Sequence, residues 1–297
     1  MKLFLSFTSS FLLLLNSTNA LASACCSGGF AAPALIAGEQ KAQFTQNLSL
    51  SEEHAYVDNE GYWHDASEKE YIQTLRLEAA HIISDRWQVG ISAPYLERSK
   101  AGNSASGFGD ISGTVGYEAV TDWTYDPWQP KTILFGQLIV PTGKSIYEFN
   151  DAMALDARGR GFYSTGIGGL LTKNWMKWDA FLTAELHKGF TKQVDNQQIQ
   201  GELEPGWGHS YTVGGGYNTA WWRFGASIST THEDPVKVNG TPGGSQNFTA
   251  AALSVSYFAT TDLVGTLTYA DQSLFGTPEN ASLQRTISLQ FQQRWQR

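Results

Sequence analysis

From about residue 38 to its end, this chain alternates apolar and polar side chains one for one, in segments of about ten residues. Successive side chains of a β-strand point to opposite faces, so a period of two describes strands with one apolar and one polar face. In the last segment Ile287, Leu289, Phe291 and Trp295 occupy one face, and Thr286, Ser288, Gln290, Gln292 and Arg294 the other. The same rule sets Trp178, Ala180, Leu182, Ala184 and Leu186 against Lys177, Asp179, Thr183, Glu185 and His187. Trp87, Val89, Ile91, Ala93 and Tyr95 likewise face away from Gln88, Gly90 and Ser92. Ile111, Val115, Tyr117 and Ala119 oppose Asp110, Ser112, Thr114 and Glu118, while Trp222, Phe224, Ala226 and Ile228 oppose Arg223, Ser227 and Ser229. Segments 132–140 and 162–172 are apolar on both faces, which leaves their register open.

Laid end to end, the pattern gives twelve strands, at 38–50, 70–83, 87–98, 108–120, 131–141, 162–173, 176–190, 207–218, 221–233, 246–258, 263–274 and 283–296. Their connections alternate in length. Ser84-Asp85-Arg86, 173–175, 218–220 and 259–262 are tight turns, and between them fall long polar loops such as 51–69, 142–161, 191–206 and 234–245. Barrels of the bacterial outer membrane have an even strand number, short periplasmic turns and longer outer loops. Nothing in a soluble sandwich demands that rhythm. The expected fold is therefore all-β: a closed antiparallel up-and-down transmembrane β-barrel of about twelve strands over 38–297, with both ends in the periplasm. One connection misfits, because Thr121 to Pro130 is long for a periplasmic turn.

Aromatic residues gather where these strands end: Trp87, Tyr95, Trp123, Trp128, Trp175, Trp178, Trp207, Trp221, Trp222 and Trp295. Amphipathic rings favour the headgroup zone, so girdles at both rims explain the placement.

The N-terminus sets the compartment. Lys2 precedes an apolar run, Leu3 to Leu15, broken only by polar hydroxyl residues, and small residues follow at Ala20-Leu21-Ala22 and Ala22-Ser23-Ala24. That order marks residues 1–24 as a secretory signal peptide whose core is too short to span a membrane as a helix. A Gly/Ala/Pro-rich segment follows at 25–37, suited to serve as a tether or to enter the barrel's lumen. The two cysteines are adjacent, Cys25 and Cys26, so no disulfide framework staples the body. Ala22-Ser23-Ala24-Cys25 resembles a lipoprotein box with Ala in place of the usual Leu, which makes Cys25 a candidate for lipidation; ordinary cleavage nearby is the alternative.

A net charge of −8 gives no electrostatic support to nucleic-acid binding. Acidic residues concentrate in 51–70, at Glu52, Glu53, Asp58, Glu60, Asp65, Glu68 and Glu70 against the single Lys69. Such a run reads as a solvated loop, or more pointedly as a site that bridges divalent cations or surface lipid.

Three motifs stand in a telling order: Gly107-Phe108-Gly109-Asp110-Ile111 at a strand start, Val140-Pro141-Thr142-Gly143 at a strand end before a long loop, and Gly161 leading into Gly166-Ile167-Gly168-Gly169. In that order and spacing the chain resembles the outer-membrane barrel family associated with the MetA pathway of phenol degradation, over most of residues 70–297. The resemblance implies a transport barrel for small molecules. The chain departs from the usual barrel ending, since it stops at Trp295-Gln296-Arg297 rather than on an aromatic residue.

Other chemistry is poorly supported. Pro141-Thr142-Gly143-Lys144-Ser145 ends like a phosphate-binding loop, but the required glycine position holds Leu138 and no periodic helix follows. His54, His64, His81, His187, His209 and His232 show no metal-ligand spacing, and no metal or cofactor is expected. A lipid hydrolase needs a serine beside an oriented histidine, and His187 is expected on the lumen side beside Glu185, the wrong side for a lipid substrate.

If the apolar faces meet lipid, the polar faces line a lumen holding Arg76, Glu78, Asp110, Thr114, Glu118, Asp179, Glu185, His187, Arg223 and Arg294. Charges of both signs on facing walls suit a diffusion channel, whereas the same residues paired across a narrow barrel would shut it. The expected function is a channel or facilitator for passive passage of small, aromatic or hydrophobic molecules. The alternatives are a non-conducting structural or adhesive barrel and, third, an outer-membrane lipid hydrolase. Expected partners are outer-membrane lipids, a small solute and the barrel-assembly machinery.

Overall fold

The computed structural model describes residues 33–66, 68–195 and 199–296. The signal peptide and Cys25 lie outside the described residues. Within them the chain forms β1 (Ala42–Val57), β2 (Trp63–Asp65), β3 (Glu70–Ile82), β4 (Trp87–Lys100), β5 (Asn103–Phe108) and β6 (Ile111–Val120). Next come β7 (Lys131–Val140), β8 (Ser164–Asn174), β9 (Trp178–Gly189), β10 (Lys192–Asp195), β11 (Gln200–Glu204) and β12 (Trp207–Asn218). The remainder are β13 (Trp222–Glu233), β14 (Lys237–Val238), β15 (Thr241–Pro242), β16 (Gln246–Phe258), β17 (Leu263–Asp271) and β18 (Ala281–Trp295).

Twelve strands pair antiparallel in the order β1, β3, β4, β6, β7, β8, β9, β12, β13, β16, β17, β18, and β18 pairs back onto β1. The sheet therefore has no open edge, which is the condition for spanning lipid with strands. The short strands decorate one end: β2 pairs with β1, β5 with β4, and β10, β11, β14 and β15 form a separate small sheet above the barrel. All the long connections except 121–130 lie at that end, so it is the outer one.

The burial pattern is inside-out relative to a soluble protein. Leu48, Leu75, Ile91, Val115, Leu134, Leu182, Val213, Phe224, Leu253, Leu267 and Leu289 are exposed on the outer face, while Thr45, Ser92, Ser112, Thr114, Gln137 and Glu185 are buried within. Exposure of an apolar band around a whole barrel is stable only against hydrocarbon. The outward aromatic pairs Trp87–Tyr117, Trp178–Tyr217 and Trp222–Tyr257, with centroids 4.9, 4.9 and 4.7 Å apart, mark the periplasmic rim of that band.

Three local departures from the sequence pattern have identifiable causes. The acidic stretch after residue 50 is largely strand, because β1 continues to Val57 and turns back through β2. Three of its charges are paired: Glu52 with Lys69, Asp58 with His64 at 2.8 Å, and Glu70 with Arg98 at 2.6 Å. The expected loop between 98 and 108 is a hairpin extension, β4–β5, closed by Ala101-Gly102. Both turn residues have positive φ, 50° and 81°, as a two-residue turn matched to strand twist requires.

The long periplasmic connection 121–130 folds against the outside of the barrel base. Asp122 pairs with Lys173 at 3.2 Å, Tyr125 lies under the same ammonium, and the Trp175 indole donates to the Pro127 carbonyl at 3.1 Å. Its length thus serves to cover Lys173, an outward cation that lipid would not tolerate bare.

Candidate functional site

Two segments enter the barrel, one from each end. At the periplasmic end residues 33–40 lie against the inner wall. The Gln88 side chain accepts the Ile36 N–H at 2.6 Å and donates to the Ile36 carbonyl at 3.3 Å, so one amide satisfies both backbone groups. Gln43 donates to the Leu35 carbonyl at 3.0 Å, and Lys131, ion-paired with Glu118 at 3.2 Å, donates to the Gly38 carbonyl. Leu35 packs with Ile133, Phe135 and Leu170, and Ile36 with Ala80 and Ile82. This explains why 132–140 is apolar on both faces: its outward side meets lipid and its inward side meets Leu35.

Gly90 is required here, since a Cβ at that position would collide with the Ala34 carbonyl. Gly90→Leu should therefore displace residues 34–36 while leaving the barrel folded. The expected result is Ile36 amide exchange faster by about tenfold or more in hydrogen-exchange mass spectrometry. Unchanged exchange would place the segment elsewhere.

At the outer end the loop 141–163 folds inward across the mouth. The motif residues noted above supply its anchors. Thr142 Oγ1 donates to the Gly109 carbonyl at 2.6 Å and accepts the Ile111 N–H at 3.1 Å. The Asp110 carboxylate accepts the backbone N–H groups of Gly143 (3.0 Å) and Arg160 (2.6 Å), so it clips together both ends of the loop. Gly159 lies so close to this carboxylate that no side chain fits there. A parallel bridge between Ser145 and Gly159 closes the neck. In the loop itself, burial pushes the Asp156 carboxyl up. The Lys144 ammonium at 3.0 Å and the Asn150 and Asp151 N–H groups outweigh that and hold it below the usual carboxylate range.

The loop is also fastened to opposite walls. Arg98 of β4 is 3% exposed, pairs with Glu70, and donates through Nη1 to the carbonyls of Ala154 (3.1 Å) and Ala157 (2.6 Å). Half-way round the ring, Glu233 of β13 binds Arg160 at 2.6 Å. Glu233 also takes the His187 Nε2 at 2.9 Å, and Glu185 stands 3.6 Å from the other ring nitrogen. From β10, Lys192 reaches Glu148 and the Gly161 carbonyl at 2.6 and 2.8 Å. Between this strap and the outer loops lies a cavity of about 130 Å³, with apolar walls from Tyr147, Phe162, Pro205 and Val236 and polar ones from Arg160, His187 and Glu233.

The lumen residues read from the sequence fall into separate groups. Glu185 and His187 join the outer cluster. Asp179 and Arg223 form a two-pronged pair at 2.6 and 2.8 Å near the periplasmic end, with Asn218 donating to the same carboxylate. Glu118 braces the N-terminal segment, and Arg294 donates to Gln292 at 2.7 Å. Arg76, Glu78 and Thr114 are on the inner face between the two ends, with Thr114 buried. Asp110 lies in the bend between β5 and β6, where its task is to hold the loop. Arg98 and Glu233 continue the inward parity of their strands and can be reached by extending it, whereas Lys131 opens a segment whose register the sequence leaves open. Arg160 carried no such signal, because it lies in a loop.

No family model and no curated protein matches this chain. Among solved structures it is similar to a COG4313 outer membrane channel from Pseudomonas putida F1, with a TM-score of 0.70, 16% identity, and coverage of 89% of this chain and 97% of that one. The NanC porin overlays more loosely, with a TM-score of 0.47 at 10% identity, covering 84% of this chain and 98% of that chain. The P. putida toluene transporter TodX gives 0.43 at 9% identity, covering 90% and 94%. The chain is a twelve-stranded β-barrel of a Gram-negative outer membrane, with the fold of the COG4313 channel.

Proposed function

We propose that the protein is an outer-membrane channel for passive passage of small molecules, with its selective constriction at the outer mouth. The observation that carries this reading is the inward loop, tied to Glu70–Arg98, Asp110 and Glu233, with a lined cavity beside it. A barrel serving only as a scaffold has no need to hold a loop across its mouth by buried charge pairs, which are costly to desolvate. The cavity's mixed walls favour a small solute with one apolar face and a few polar groups, the ordinary chemistry of a sized binding site. The periplasmic segment 33–40, held by amide contacts, one lysine and two small apolar clusters, is the weaker of the two obstructions. The reading also takes residues 1–24 as the removed leader and the inner-face residues as the lining of the solute's path.

The test is single-channel recording in planar bilayers. Folded protein is expected to give discrete conductance steps, reduced by the addition of solutes that occupy the outer cavity. Folded protein that never conducts would favour a structural barrel.

A further inference from the structure

We propose that the lipid-facing wall around β7, β8 and β9 carries a binding groove for a phosphorylated glycolipid of the outer leaflet, with its headgroup on Lys188, His209 and His232. The groove is open to the outside and has a volume of about 870 Å³. Its course follows the strand register. Trp87 stands opposite Tyr117, Tyr117 opposite Leu134, Leu134 opposite Gly169, Gly169 opposite Ala184, and Ala184 opposite Tyr211. The neighbouring outward row runs through Gly136 and ends at His209. Strands of such a barrel are tilted, so a row that follows the hydrogen bonds climbs from one rim to the other. The groove climbs from Trp87 at the periplasmic rim, where the first row starts, toward the outer rim at His209, where the second row ends. Six strands about 4.8 Å apart give a slanted trough about 24 Å long. Gly136, Gly169 and Ala184 withhold side-chain volume in its middle, where their neighbours are large.

Any acyl chain could lie in such a trough, and its outer end supplies the selectivity. Lys188 and Trp207 are cross-strand neighbours on the outward face, with the ammonium 5.1 Å from the ring centroid. His209, two residues further on the same face, stands opposite His232, with ring centroids 5.1 Å apart. Asp234 also faces this group, 3.4 Å from His232 Nε2, and orients that ring. The three nitrogen-bearing side chains sit at the outer ends of β9, β12 and β13, at the height of the outer-leaflet headgroups. There a phosphate ester can accept charge-assisted hydrogen bonds from Lys188 and from the imidazoles while the lipid's chains descend into the trough. The inference stands apart from the channel reading, since nothing in it requires an open lumen.

The experiment uses the full-length barrel in detergent micelles doped with bis-phosphorylated lipid A or with the same lipid dephosphorylated, and counts bound lipid by native mass spectrometry. Wild-type protein should hold the phosphorylated form about tenfold more tightly. The Lys188→Gln/His209→Gln/His232→Gln variant should lose that preference while keeping its β-sheet circular dichroism. Gly169→Leu should weaken retention of both lipids. The nearest neighbour of a Cβ there is 3.7 Å away, so the strand accepts the side chain and the trough fills. Gly265→Leu, on the outward face of β17 away from the trough, should bind like wild type. Equal retention of the two lipids by wild type, or an undiminished preference in the triple variant, would overturn the proposal.

Discussion

Arg98→Ala is expected to destabilise the barrel by about 3–5 kcal/mol, the largest single-residue effect among the lumen residues. The reason is the company Arg98 keeps. Removing the guanidinium leaves the Glu70 carboxylate buried without its partner and orphans the Ala154 and Ala157 carbonyls of the inward loop. An unpaired buried charge costs far more than the pair itself contributes. Chemical unfolding from lipid vesicles would show the loss as a lower denaturant midpoint with an unchanged slope. Arg98→Lys should recover only part of it, because a point charge cannot serve a carboxylate and two carbonyls at once. A midpoint unaffected by Arg98→Ala would mean that the loop holds without its strap to β4.

The second large effect tests which face meets lipid. Leu289→Arg should cost about 2–4 kcal/mol, because Leu289 lies outward near the middle of β18 and of the bilayer. It pairs with Leu48 and Leu267, both exposed on the same outer face. Gln290→Arg, one residue on, points inward among polar side chains and should be nearly neutral. Vesicle unfolding of the two variants side by side gives the comparison. Equal tolerance would contradict the assignment of inside and outside.

Much of this architecture is legible in the sequence because lipid imposes a two-residue period that water-soluble folds seldom keep for so long. β9, β13 and β18 show it on both faces and were placed within a few residues. Where a second apolar surface intrudes, the period fails to register. β7 and β8 are such strands, since Leu35 gives their inner face a hydrophobic partner that no local pattern can announce. The stretch after residue 50 reads as loop because its charges are dense. Glu52 and Asp58 are met from within the stretch, by Lys69 and His64, and Glu70 by Arg98 from the next strand.

The site was less legible than the fold. Gly107, Gly109, Asp110, Pro141, Thr142 and Gly143 stood out by their order, yet nothing in one dimension tells that they clasp a loop. That meaning appears only when Asp110 is seen to hold the N–H groups of residues 33 and 50 positions away. Asp179 and Arg223 lie 44 positions apart and both fall on the lumen face, but their pairing needs β12 to sit between β9 and β13 and hold them one strand apart. Loop residues such as Arg160 have no periodicity to place them at all.

Single-channel recording of wild type beside Arg98→Ala tests the central claim most directly. A channel constricted at its outer mouth should show small discrete steps in the wild type, and steps larger by about twofold or more once the loop loses its strap. Silence from both folded proteins, or identical steps from the two, would contradict it.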